Sequence, residues 1–255
     1  MTGAFVATSE KLLPDLNPRE EVVLLARTLF REGYDDHLAG HITYRQADGT
    51  LLCNPWYLTW EEFRPEDVIR IDLDGRVLEG DWPVPPGIPL HLELHKLRHN
   101  VTVAVHNHPR WGTVWADMQR VPPCYDQSSA LGGGTVVVID EYDRPVNDPQ
   151  SARRAARTMG DADIALLANH GVFVLAGSVR AAHQRAVAIE QRCRNAWLAE
   201  VGGAGRPLPE AARSYLGRTN GEGFIGFWEA MARAELRRDP ALLSPWPGGP
   251  TGRAV

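Results

Sequence analysis

Apolar positions along the chain switch between two periods, and the switches mark the elements. Val22, Leu25, Leu29 and Phe30 recur at helical spacing, with Asn17, Pro18 and two acids before them and Gly33 after. That pattern predicts an amphipathic helix capped by Asn17 and stopped at Gly33. β-type runs follow: HITYR and TLLCN about a turn at Asp48-Gly49, then the two halves of DVIRIDLDGRVLEG about Asp74-Gly75. PLHLELHKLRHN returns to the helical period, and VTVAVHNH is β-branched and strand-like. GTVVVID and ADIALLANHGVFVLAG supply further strands. SVRAAHQRAVAIEQRCRNAWLAEV predicts a long amphipathic helix capped by Ser178, and PLPEAARSYLG and GFIGFWEAMARAELRR predict two closing helices. Helices and strands alternate, which is the α/β class. The division reads as an N-terminal arm over 1–16, one domain over 17–240 and a Pro/Gly-rich tail over 241–255.

Composition narrows the function. The chain has 255 residues, enough to bury one sizeable core, and a formal net charge of −5. Such a balance gives no general attraction to nucleic acid or to an anionic membrane. No run of apolar residues is long enough to span a bilayer, and the first residues lack the pattern of a signal peptide. Cys53, Cys124 and Cys193 are odd in number and widely spaced, which suits a reducing cytoplasm. Only Lys11 and Lys96 are lysines; the first lies in the arm and the second among charged neighbours on a helix. Neither reads as the desolvated amine that a Schiff base needs.

The candidate chemistry lies in histidines. His106 and His108 alternate along one strand, so they face the same way roughly 7 Å apart. Two imidazoles at that spacing can converge on one metal ion, and LLANHGVFV offers a third, His170, at another strand end. Two surface histidines at a strand exit and one in a turn would give the same pattern. HLELH is not the HExxH zinc motif. On a helix His91 and His95 share a face, with Glu93 about 200° away from His91. His95 is expected to be exposed or half-buried, and His91 is the better site candidate.

The order of the motifs GHIT, PLHLELHKLR, VAVHNHP, PPCYDQSSALGGG and LLANHGVFVLAGSVRAAHQRAVAIE resembles the class II aldolase/adducin family over roughly residues 20–200. The resemblance implies a single three-layer α/β/α domain around a mixed, largely antiparallel sheet. It implies a homotetramer, with active sites between subunits. It also implies that His106, His108 and His170 hold one divalent metal ion acting as a Lewis acid on a substrate carbonyl or enediolate. Three imidazoles suit zinc, iron, manganese or cobalt alike.

The sequence departs from the family at informative places. The family's glutamate, a metal ligand or general base, falls at Gly87, which can do neither. Its phosphate cradle falls at Gly40-His41-Ile42-Thr43, Trp56-Tyr57 and Pro85-Pro86. Prolines bring no N–H to a phosphate, so a sugar phosphate is not the expected substrate. Trp56, Tyr57, Trp60, Trp82, Trp111 and Trp115 crowd one section that holds five of the eight tryptophans. Trp56, Tyr57, Trp60, Trp111 and Trp115 suit an apolar or aromatic ligand, with core packing as the alternative for each. Arg110 follows the histidine strand and could grip a carboxylate, or stand in solvent.

Three classes of function remain. The first is a metal-dependent carbon–carbon lyase, a decarboxylase or retro-aldolase, on a non-phosphorylated carboxylate, with His41, His91, Tyr125 and Asp126 as candidate proton-transfer residues. The second is a non-haem iron oxygenase, and the third is a non-catalytic binding protein like the adducin head. A homo-oligomer is expected, with Trp228 as a natural anchor in the late apolar helix.

Overall fold

The computed structural model describes residues 12–140, 148–203, 205–220 and 223–244. Most of the arm, including Lys11, and residues 245–255 of the tail lie outside them. Helix α1 (Pro18–Arg31) begins where its polar signals put it: the Asn17 side chain accepts from the amides of Arg19 and Glu20, and Glu20 accepts from the Asn17 amide. That reciprocal pair satisfies amides which the first helical turn leaves without partners.

Eight strands form one sheet: β1 (His41–Arg45), β2 (Leu51–Cys53), β3 (Ile69–Ile71), β4 (Val77–Glu79), β5 (Val103–Asn107), β6 (Val136–Ile139), β7 (Ile164–Leu167) and β8 (Gly171–Ala176). Their order is β4-β3-β2-β1-β5-β8-β7-β6. Every pairing is antiparallel except β6 with β7. A parallel pair needs a crossover, which α5 (Pro149–Met159) supplies. The sheet is therefore mixed and largely antiparallel.

Helices cover both faces. On one side α2 (Ile88–Leu97) and α5 bury Leu90, Leu94, Ala152, Ala155, Ala156 and Met159 against Ala104, Leu167, Phe173 and Leu175. On the other, α1, α3 (Arg110–Asp117), α6 (Val179–Val201) and α8 (Phe227–Arg238) enclose Ile42, Val103, Val105, Leu166, Val172 and Val174. The short α4 (Gln127–Ala130) packs on α6 and α7 (Glu210–Asn220). The result is an α/β/α sandwich.

The sequence pattern does not announce α3, α4 and α5. The apolar stripe of α5 is mostly alanine, but its sidedness is strong: Ala152, Ala155, Ala156 and Met159 are buried, Asp148 caps the helix, Pro149 opens it and Gly160 ends it. The structure also corrects the expectation for Trp228. Its side chain is buried within its own chain, while Phe224, Ile225 and Phe227 are the exposed apolar residues nearby.

Candidate functional site

The site forms where β5 and β8 end side by side. His106 is register partner to Phe173 on β8 and to His41 on β1. His108 leaves the end of β5, and His170 sits in the tight turn between β7 and β8. The local sequence explains the turn. Asn169 takes a left-handed backbone (φ 54°), which asparagine tolerates better than most residues. Gly171 follows because a Cβ there would come within 2.6 Å of the His108 ring and 2.7 Å of the Asn107 carbonyl oxygen. The Asn-His-Gly triplet is thus a turn residue, a site residue and a residue that must lack a side chain.

These residues bring His106, His108 and His170 together. Ring centroids lie 5.1 Å apart for His106–His108, 4.8 Å for His106–His170 and 4.7 Å for His108–His170. One ligand atom from each ring lies within 4.8 Å of the others, a group that could hold a metal ion. Two rings are oriented by outer partners. His106 Nδ1 lies 3.0 Å from the Val172 carbonyl oxygen, and His108 Nδ1 lies 2.7 Å from the Asp36 carboxylate. A ring nitrogen facing an oxygen acceptor carries the proton, so each ring keeps its Nε2 lone pair for a ligand. Burial, with the neighbouring His170 and His41, holds the His106 pKa well below the ordinary imidazole range. The ring is therefore neutral at pH 7, the form that ligates.

A second tier of imidazoles lies behind the first. The His41 ring is 5.3 Å from His106 and 5.8 Å from His91. Burial and the nearby His108 and His170 push its pKa down to about 3, and its Nδ1 has no partner. The ring rests on Gly87: a Cβ at that position would lie 2.1 Å from His41 Cε1. An imidazole therefore fills the space that any side chain at Gly87 would need. His91 packs 4.6 Å from Phe173, and its pKa is driven well down by burial. His95 is a correction. It is fully buried, not half-exposed, because its Nε2 meets Thr43 Oγ1 at 2.8 Å beneath the sheet. Glu93 instead pairs with Lys96 and Arg153.

The remaining candidates are spread more widely. Trp56 is half-buried and Tyr57 exposed, their rings 5.9 Å apart. The Trp56 amide donates to the Pro83 carbonyl, which ties this loop to the segment ending at Gly87. Trp60 is buried over Gly40, where a Cβ would lie 2.4 Å from its ring. Trp115 is a core residue with no exposed surface, its indole donating to the Cys193 carbonyl at 2.8 Å. Exposed Arg110 and half-buried Trp111 line a cleft between α1, α3 and α6 with Glu32, Asp35 and Glu190, acidic company for a carboxylate ligand. Asp126 caps α4, accepting from the Ser129 amide and hydroxyl and from Asn195. Burial raises its pKa, but those hydrogen bonds outweigh burial and hold the carboxyl below its ordinary value. Tyr125 is half-buried and packs against Gly205.

Sequence reasoning missed Asp36, Thr43 as a partner of two histidines, and Phe173. Asp36 follows the α1 stop in Tyr34-Asp35-Asp36-His37, and no spacing rule links it to a histidine 72 positions on.

The sandwich and the triple-histidine group together define a class. The family described as "Class II Aldolase and Adducin N-terminal domain" matches residues 20–197, and the chain belongs to it. It is 30% identical to a 3,4-dihydroxyphthalate decarboxylase of Arthrobacter keyseri, over 78% of this chain and 85% of the relative. It is 27% identical to a 4-hydroxy-3-prenylphenylpyruvate oxygenase/4-hydroxy-3-prenylbenzoate synthase of Streptomyces roseochromogenus subsp. oscitans, over 88% and 83%. In fold it is similar to an L-fuculose 1-phosphate aldolase from Glaciozyma antarctica PI12, with a TM-score of 0.76, 20% identity and coverage of 92% and 98%. The chain is an enzyme of this family. Among the described residues no helix is long and apolar enough to cross a membrane.

Proposed function

We propose that this enzyme is a divalent-metal-dependent carbon–carbon lyase, a decarboxylase or retro-aldolase, acting on a non-phosphorylated carboxylate with an apolar or aromatic body. One observation carries the reading: three imidazoles converge at a site where a fourth, His41, stands against Gly87 in place of a carboxylate. His106, His108 and His170 would hold the ion, zinc, iron, manganese or cobalt. When bound, it supplies a Lewis acid that draws electron density from a substrate carboxylate and a neighbouring oxygen.

The chain's own residues supply the rest. Asp36 and the Val172 carbonyl fix the two strand histidines. His41 and His91, neutral and buried, offer hydrogen bonds to a substrate oxygen at the inner end of the site. Trp56 and Tyr57 offer stacking surface on the loop bonded to the 83–87 segment. The same bond removes the Trp56 amide from phosphate binding, and Pro85 and Pro86 have none to give. Tyr125 and Asp126 stand as acid candidates only if a second subunit brings them to the site, which fits assembly as a homotetramer. The three cysteines are free and buried, which supports a cytoplasmic setting.

A second reading, a non-haem iron oxygenase, is favoured by the likeness to the Streptomyces oxygenase/synthase. The test is to incubate anaerobically purified, metal-loaded enzyme with hydroxylated aromatic acids and, separately, with sugar phosphates. The lyase reading expects carbon dioxide or a cleaved carbonyl product from an acid without oxygen. Turnover that requires stoichiometric oxygen would establish the second reading, and turnover of sugar phosphates alone would overturn both.

A further inference from the structure

A cleft of about 780 Å3 opens between α4, α6, α7 and the start of β6, with Arg185 and Arg192 of α6 and Arg213 and Arg218 of α7 on its walls. Its size suits a small molecule. It is separate from the histidine site: none of its lining residues belongs there, and Arg185 bonds the Leu175 carbonyl, four residues along β8 from Gly171. We propose that this cleft is a binding site for a small dianion, a dicarboxylate or a phosphate, held between Arg192 and Arg218. The proposal is independent of the metal and of the reaction described above.

The reasoning is a count of charges. Arg185 and Arg192 are each less than one tenth exposed. A buried guanidinium needs a counter-charge, because little water is left to screen it. Arg185 has one, since Asp163 lies 3.4 Å from its Nη1. Arg213 has one in Glu210, the only acid among the described lining residues. Arg192 has none. Its Nε and Nη2 donate to the Pro122 carbonyl at 2.9 and 2.5 Å, and no carboxylate pairs with it among the described residues. That leaves Nη1 for the cleft. Arg218, exposed on α7, has no ion pair among the described residues either. Two positive charges thus face the cleft without a carboxylate, and a ligand with two negative charges answers both.

The packing of α7 points the same way. None of its described side chains is buried. A helix of 11 residues is marginal in water without an apolar face to pack. Backbone contacts seat it instead. The Leu208 amide, just before the helix, donates to the Cys124 carbonyl at 2.7 Å. Gly217 lies against Gly133, so close that a Cβ on Gly217 would come within 3.0 Å of Gly133 Cα. This glycine contact brings α7 against the turn before β6, with Arg213 and Arg218 on the cleft wall. An anion shared by Arg192 and Arg218 ties α7 to α6 through charge, where apolar packing does not.

Guanidinium groups select the class of ligand. Their planar N–H donors match the paired oxygens of a carboxylate or a phosphate. A monoanion such as acetate answers only one of the two charges, so the site favours a dianion over it.

The test is calorimetric titration of the full-length, metal-free protein with inorganic phosphate, succinate and acetate, at constant ionic strength in chloride. The site expects one phosphate or succinate per chain with a Kd below about 1 mM, and acetate at least about tenfold weaker. Tighter phosphate marks a phosphorylated ligand and tighter succinate a dicarboxylate. Arg192→Lys keeps the charge but loses the planar donors, and Arg218→Gln removes a charge at an exposed position; each should weaken dianion binding by about tenfold. His106→Ala should leave binding unchanged, and hydrogen exchange in α7 should slow when the dianion binds. No saturable uptake of either dianion overturns the site, as does undiminished affinity in Arg218→Gln or loss of binding in His106→Ala. If Arg192→Lys does not fold, Arg218→Gln decides alone. A second copy seated on the cleft would appear as no uptake together with a lower mass of Arg218→Gln by light scattering, and that result also overturns the proposal.

Discussion

The His41 imidazole stands where a side chain at Gly87 would have to go, 2.1 Å from the position of its Cβ. The two positions are therefore coupled. Gly87→Ala should push the ring aside and lower stability by about 1–3 kcal/mol, the usual range for overpacking a filled core. In a His41→Ala background the same change should cost much less. Urea unfolding of the four proteins measures the coupling, and equal costs in both backgrounds would refute it.

Asp36 accepts from His108 Nδ1 and so fixes the ring that offers Nε2. Asp36→Asn weakens that acceptor without changing its shape. Loss of such outer partners usually lowers metal affinity about 10- to 100-fold. Competition with a chelator should show this, with the fold unchanged by circular dichroism.

His183 on α6 is fully buried, with neither ring nitrogen hydrogen-bonded. Burial, partly offset by Glu229, pushes its pKa from 6.5 down to about 4. The unfolded chain takes up this proton below about pH 6.5, and the folded protein does so only near pH 4. Stability from this group is complete above pH 6.5 and falls as the pH drops to about 4, by about 3 kcal/mol in order of magnitude. His183→Leu should remove that share of the acid sensitivity. Denaturant melts at neutral and acid pH check it: an unchanged difference between the two pH values would exclude the role.

The aromatic candidates divide by burial. Trp56→Ala, at a half-buried loop residue, should weaken aromatic-acid binding several-fold, since a stacking contact is worth about 0.5–1.5 kcal/mol. Trp115→Phe removes a buried hydrogen bond to Cys193 and should lower stability by about 1–3 kcal/mol while leaving ligand affinity unchanged. Tryptophan fluorescence titration and thermal melts separate the two effects.

What could be read from the sequence follows from how local each signal is. Asn17 and Ser178 declare helix starts because caps act within three residues. His106, His108 and His170 could be picked out because strand alternation and a strand-end turn are local patterns. His95 could not be placed, because its burial depends on Thr43, 52 positions away, across the α2–sheet contact. Asp36 escaped for the same reason. Trp115 and Trp60 looked like ligand surface because composition cannot distinguish a ring packed inward from one facing a cleft.

The proposed chemistry requires the three imidazoles to hold one ion. Metal analysis of protein purified without chelators tests this most directly, alongside His106→Ala, His108→Ala and His170→Ala. The expected result is one equivalent of a divalent metal per chain in the unmodified protein and its loss in each variant, with folding retained. Metal content that stays the same in all three variants would contradict the site.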